Sequence, residues 1–135
     1  MRYLRSILAA LLVAAAFPAA AAEPLGALLP DSELRLNADM GWERRSDVWQ
    51  LRADGTITGN FQISRPVTFG TSFTRSGRIA GRWRIENGKL CVEGVGFEQR
   101  GLNCYTLTKG GFSANEYGAI NDRNGQRWQV FVYSR

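Results

Sequence analysis

The sequence predicts an all-β protein: an antiparallel meander of about eight strands that closes into a small barrel or half-barrel. A short N-terminal helix precedes it. Three observations predict this fold. From residue 40 onward apolar residues recur with period two rather than 3.6. Turn signals separate the alternating runs: Asp54-Gly55, Asn87-Gly88, Lys109-Gly110-Gly111 and Asn124-Gly125. The resulting spacing, a strand roughly every 8 to 12 residues, is that of an antiparallel barrel or sandwich.

The N-terminal stretch is read as a leader rather than as part of the fold. Arg2 and Arg5 give a basic start, Ile7 to Phe17 is uninterrupted and apolar, and Pro18 then precedes small residues up to Ala22. This layout predicts a secretory signal peptide at 1–22, cut between Ala22 and Glu23. The apolar run is shorter than the ~20 residues a membrane-spanning helix needs. Cleavage leaves one domain, 23–135, with no further span expected. Arg2 and Arg5 leave with the leader, so the formal net charge falls from +5 to +3. Localisation is expected to be secreted or periplasmic.

Along the mature chain, "LPDSELRLNAD" (29–39) is expected to hold the helix, with Asp31 or Ser32 as its cap and Pro30 before it. Strands are expected at 40–45, 48–53, 56–64, 78–86, 89–96, 102–108, 112–120 and 126–133. A two-residue turn at Asn87-Gly88 sets Ile85 opposite Leu90, Trp83 opposite Val92 and Arg84 opposite Cys91. Ile79, Gly81, Trp83, Ile85, Leu90 and Val92 then share the inner face, and Arg78, Arg82, Arg84 and Glu86 the outer. At Asp54-Gly55 a three-residue loop, with Gly55 left-handed, sets Leu51 opposite Ile57 and Trp49 opposite Gly59.

Cys91 and Cys104 are the two cysteines of the chain. An even count in a small exported protein predicts that they form a disulfide. Placing them opposite one another puts Leu90 opposite Tyr105, which extends the apolar row. The turn and the disulfide thus agree on which face is inside. The short loop that the bond closes is worth ~3 kcal/mol in the chain-entropy description, and the bond falls on the outer face, where it takes no core volume.

The order Gly81-x-Trp83, Asn87 to Cys91, Cys104, then Trp128 to Val132, with Asp54 to Thr56 upstream, resembles a family of small secreted proteobacterial proteins whose function is unknown. That resemblance implies the fold and the disulfide but no activity. The architecture is also similar to lipocalin-like barrels and to exported inhibitors of proteases or lysozyme, by analogy of fold.

The chain contains no histidine. It therefore lacks the commonest general base and the usual Ser-His or Cys-His nucleophile pair. No metal-ligand spacing or phosphate loop is present, so neither metal nor cofactor is expected, and the protein is read as not an enzyme. Carboxylate pairs Glu93 with Glu98, or Glu116 with Asp122, are conceivable acid/base partners, but scattered exposed acids are the plainer reading.

Two stretches are candidates for binding. Arg78, Arg82 and Arg84 form a stripe on one strand face. Its plainer reading is a solvated face that discourages edge pairing. The segment 64–77, with Arg65, Phe69, Phe73 and Arg75, breaks the strand spacing and reads as a functional loop or as an extra strand. The expected function is an exported, disulfide-stapled, non-catalytic binding module that contacts a protein or an anionic envelope component, inhibitor-like or otherwise. Nucleic acid is not an expected partner. The alternatives are a lipocalin-like carrier of a small apolar ligand, with Trp42, Trp49, Trp83 and Trp128 lining or filling its interior, and a purely structural envelope protein.

Overall fold

A computed structural model describes residues 24–66 and 72–134, apart from the side chains of Ser72 and Phe73. The expected leader at 1–22 lies outside the described residues. One helical turn, α1 (Leu25–Leu28), precedes β1 (Ser32–Asp39), β2 (Arg44–Leu51), β3 (Thr56–Pro66), β4 (Ser72–Glu86), β5 (Lys89–Val95), β6 (Asn103–Lys109), β7 (Glu116–Asn121) and β8 (Arg127–Ser134). Each strand pairs antiparallel with the next, and β8 returns to β1, so the sheet closes into a barrel. Closure removes the two free edges that an open meander would expose.

The predicted register holds wherever turn chemistry dictated it. Asn87 and Gly88 both take positive φ, 52° and 74°, and the β4–β5 pairing sets Trp83 opposite Val92, Arg84 opposite Cys91 and Ile85 opposite Leu90. Gly55 is left-handed at φ 89°, and Leu51 stands opposite Ile57 and Trp49 opposite Gly59. Leu90 pairs with Tyr105 and Cys91 with Cys104. The two cysteines are bonded. Cys91 takes the outer-face register beside Arg84 and stands apart from the core cluster, yet it is only 1% exposed, whereas Cys104 is half-buried.

Three expectations are corrected. The segment 29–39 is not a helix; Ser32 to Asp39 form β1. Ser32, Leu34, Leu36 and Ala38 are buried while Arg35, Asn37 and Asp39 are exposed, which is the period of a strand. Asp31 does not cap a helix: its φ is 57°, and its Oδ1 accepts the Ala53 N–H at 3.0 Å. The strands expected at 40–45 and 48–53 are one strand, β2. Residues 40–43 are instead the turn before it, closed by Met40 N–H to Glu43 O at 2.8 Å with Gly41 at φ 84°. Lastly, of the two readings of 64–77 the strand is the nearer, although the described residues extend two neighbouring strands rather than add one. Ser64 to Pro66 finish β3 and Ser72 to Gly77 begin β4, with Arg65 opposite Phe73; residues 67–71, Phe69 among them, lie outside the described residues.

The barrel is filled by side chains from all around it. Leu34, Leu36, Trp49, Leu51, Ile57, Ile79, Leu90, Val92, Tyr105 and Val130 are buried. Trp49 meets Phe97 edge-on with ring centres 5.4 Å apart, and Tyr105 at 5.7 Å. Leu25, Leu28 and Leu29 pack onto this core where β1 begins, so α1 closes that end. Gly59, opposite Trp49, gives the strands room to approach: a Cβ there would run into the Val48 carbonyl. Trp83 takes the inner register but is only half-buried, with its Nε1–H donating to Arg52 O at 2.8 Å. Trp42 is 79% exposed on the β1–β2 turn and neither fills nor lines the interior.

Candidate functional site

The other end of the barrel, where β1 ends and β2 begins, is polar inside. Arg45, Asp47 and Trp49 alternate onto the inner face of β2, because residues two apart on a strand point the same way. Arg45 donates through Nε to Asp47 Oδ1 at 2.8 Å and through Nη2 to Oδ2 at 3.1 Å. Nη2 also reaches Gly96 O at 2.5 Å, and Trp49 Nε1–H donates to Asp47 Oδ2 at 3.0 Å. Burial pushes the Asp47 carboxyl above its ordinary range, while the bonds and charge of Arg45 pull it back. The Arg45 guanidinium lies 4.5 Å from the centre of the Phe61 ring.

Glu98, on the loop after β5, turns into this mouth. Its Oε1 accepts from Tyr105 Oη at 2.8 Å, Asn121 Nδ2 at 2.7 Å and Trp128 Nε1 at 2.9 Å. Its Oε2 accepts from Asn124 Nδ2 alone, at 3.2 Å. Asn121 also donates to Asn103 Oδ1 at 3.1 Å, and Asn103 Nδ2 binds Gln99 O and Gly101 O, which fixes the loop that carries Glu98. Burial, with the Glu98 charge and hydrogen bond added, drives the Tyr105 phenol far above its ordinary range.

The residues singled out from sequence divide into two groups by the pleat. Arg78, Arg82 and Arg84 are exposed on the outer face of β4. Arg84 is tied to Glu86 at 2.9 Å and Arg82 stands opposite Glu93, so the stripe is partly neutralised from within. Arg75, opposite Ile63, and Arg65 take the inner register of the same hairpin and reach the rim of the mouth, where Arg65 bonds to Glu43 at 2.5 Å. The Phe73 backbone lies opposite Arg65. The carboxylate pairs conceived from sequence have other partners: Glu98 belongs to the mouth, and Asp122 is bonded to Lys89 at 2.5 Å.

Sequence reasoning singled out Arg65, Arg75 and Glu98 without bringing them together, and it missed Arg45, Asp47 and Asn121. Part of the mouth was readable: the Leu90–Tyr105 register already places Asn103 and Tyr105 on one face. The placement of Glu98 was not, since no periodicity governs an irregular loop. A cleft of about 260 Å³ opens here beside Arg45, Arg75 and Glu98. Among the described residues no group of three His, Cys, Asp or Glu is placed to hold a metal, and no helix is long and apolar enough to cross a membrane. Comparisons with protein-family models, curated proteins and solved structures give no match.

Proposed function

We propose that the protein is an exported, non-catalytic binding module that holds an anionic partner, a protein or an envelope component, through exposed arginines. One observation carries this reading: the interior is occupied. Trp49, Phe97, Tyr105 and Trp128 meet across the barrel axis, and the space beyond them holds the Arg45–Asp47 pair and Glu98. An apolar cargo would have to displace those rings or lie against buried charge, and either is costly. Carriage of an apolar cargo in the core is thereby disfavoured, and charged surfaces are the better candidates for a macromolecular partner. Arg78 and Arg82 make no ion pair among the described residues. The Cys91–Cys104 bond is compatible with an extracellular or periplasmic protein, since such bonds persist in oxidising compartments. The carboxylates nearest the interior support a structural role: Asp47 is tied by Arg45 and Trp49, and Glu98 Oε1 already accepts three donors.

The test is elution of residues 23–135 from immobilised heparin, used as a generic polyanion, in a salt gradient. Charge attraction between exposed groups is screened over ~8 Å at physiological salt, so retention falls as salt rises. Replacing Arg78, Arg82 and Arg84 together by Ala should bring elution to clearly lower salt without lowering the melting temperature. Co-elution of the variant with the parent protein sinks the arginine reading. Saturable binding of N-phenylnaphthylamine that is lost in Trp49→Ala favours the apolar carrier instead.

A further inference from the structure

We propose that the mouth of the barrel is a binding site for a small zwitterion, a molecule of roughly ten non-hydrogen atoms carrying one carboxylate and one ammonium group. This site is separate from the outer arginine stripe and stands or falls independently of it. The cleft holds about 260 Å³, and its lining includes Glu43, Arg45, Arg75, Glu98, Asn124 and Gln126 beside the apolar Met40 and Ile63. That volume lies just below the usual range for drug-sized ligands, so the occupant is small.

Both poles of the cleft have unused capacity. Arg75 makes no ion pair among the described residues and is exposed at the rim. Arg45 spends Nε and Nη2 on Asp47 and Gly96, and its Nη1 bonds to no acceptor among the described residues. A guanidinium offers five N–H donors in a planar fork suited to a carboxylate. On the opposite sign, Glu98 Oε1 accepts three hydrogen bonds but Oε2 accepts only one, the 3.2 Å contact from Asn124. A carboxylate oxygen with a free lone pair is an ammonium acceptor.

Charge balance selects the ligand class. The cleft is lined by Arg45 and Arg75 against Glu43 and Glu98, two charges of each sign, and Arg45 and Glu43 are each also paired, with Asp47 and Arg65. A simple anion or a simple cation therefore gains little from the field of the mouth as a whole. A molecule carrying both signs can use the free arginine donors and Glu98 Oε2 together. Arg45 and Glu98 are also held in place before binding, by Asp47 and by the Tyr105, Asn121 and Trp128 donors, so little ordering cost falls on complex formation.

The experiment is calorimetric titration of residues 23–135 with three matched probes: glycylglycine, with both charges; glycylglycinamide, with the ammonium only; and N-acetylglycine, with the carboxylate only. Glycylglycine should bind with a dissociation constant below about 10 mM, and each single-charge probe should bind roughly tenfold more weakly or worse. In Arg75→Ala, a rim substitution, glycylglycine should fall toward the affinity of its amide. In Glu98→Gln, which keeps a carbonyl acceptor for the three inner donors, it should fall toward that of N-acetylglycine. Melting curves confirm that both variants are folded; should Glu98→Gln unfold, Arg75→Ala with the three probes decides alone. Absence of glycylglycine binding at about 10 mM, equal affinity for all three probes, or an Arg75→Ala protein that still prefers glycylglycine to its amide overturns the proposal.

Discussion

The Tyr105 hydroxyl donates to Glu98 Oε1 at 2.8 Å, joining the interior of β6 to the loop that follows β5. Through the same oxygen that loop is bonded to Asn121 at the end of β7 and Trp128 at the start of β8. One carboxylate thus fastens three consecutive strands at the mouth.

Glu98→Ala removes the acceptor of four donors, three of them, Tyr105, Asn121 and Trp128, on the inner oxygen. Each buried donor left unsatisfied costs about 1–3 kcal/mol, and because water enters a mouth more readily than a core the combined loss should be about 3 kcal/mol. Urea denaturation measures it. Glu98→Gln should lose less, because one carbonyl oxygen remains. A loss below about 1 kcal/mol for the alanine variant means that water replaces Glu98 without penalty.

Tyr105 sets an alkaline limit. Its folded pKa is raised above the ordinary phenol value of 10.0, first by burial and then by Glu98. A group whose pKa is raised on folding contributes stability fully below its unfolded value and loses it as pH rises further. Stability should therefore decline above pH 10, and absorbance at 295 nm should show one phenol that ionises only as the chain unfolds. In Tyr105→Phe that late component should vanish; its persistence assigns the burial to another residue.

The Arg45–Asp47 pair makes its own contribution to the response to acid. Burial raises the Asp47 pKa above 3.8 against the pull of Arg45. The protonated acid is thus favoured in the folded state, and its contribution is present below pH 3.8 and lost as pH rises through the folded value. Arg45→Met removes the opposing pull. Leaving a buried charge unpaired costs about 3–5 kcal/mol, so the variant should be strongly destabilised at pH 7 and partly recover as pH is lowered. Asp47→Asn in the same background should remove that acid recovery. Equal losses for Arg45→Met at pH 4 and pH 7 contradict this account.

Trp49 and Trp83 share the inner register but not the same surroundings. Trp49 is 1% exposed and touches two other rings, so Trp49→Ala should cost about 3–5 kcal/mol. Trp83 is half-buried, and its loss, including the bond to Arg52 O, should be clearly smaller. Thermal or denaturant melts of the two variants rank them. The reverse order places the centre of the core near β4 and β5 instead.

The all-β class, the disulfide and the inner face of the β4–β5–β6 run were legible in the sequence. These rest on short-range rules: a two-residue Asn-Gly turn fixes register, and a pleat of period two then assigns every side chain between turn and cysteine. β1, by contrast, follows from closure of the barrel. "SELRLNAD" carries helix-forming residues, but that preference is worth tenths of a kcal/mol per residue. Closing the barrel buries Leu34 and Leu36 and joins β1 to both β2 and β8, which is worth more. Tertiary structure likewise decided the mouth. Arg45, Arg75 and Glu98 are up to 53 positions apart in sequence, and they meet because strand ends from across the closed sheet gather at one rim. Local periodicity says which way a side chain points, but closure alone says what it points at.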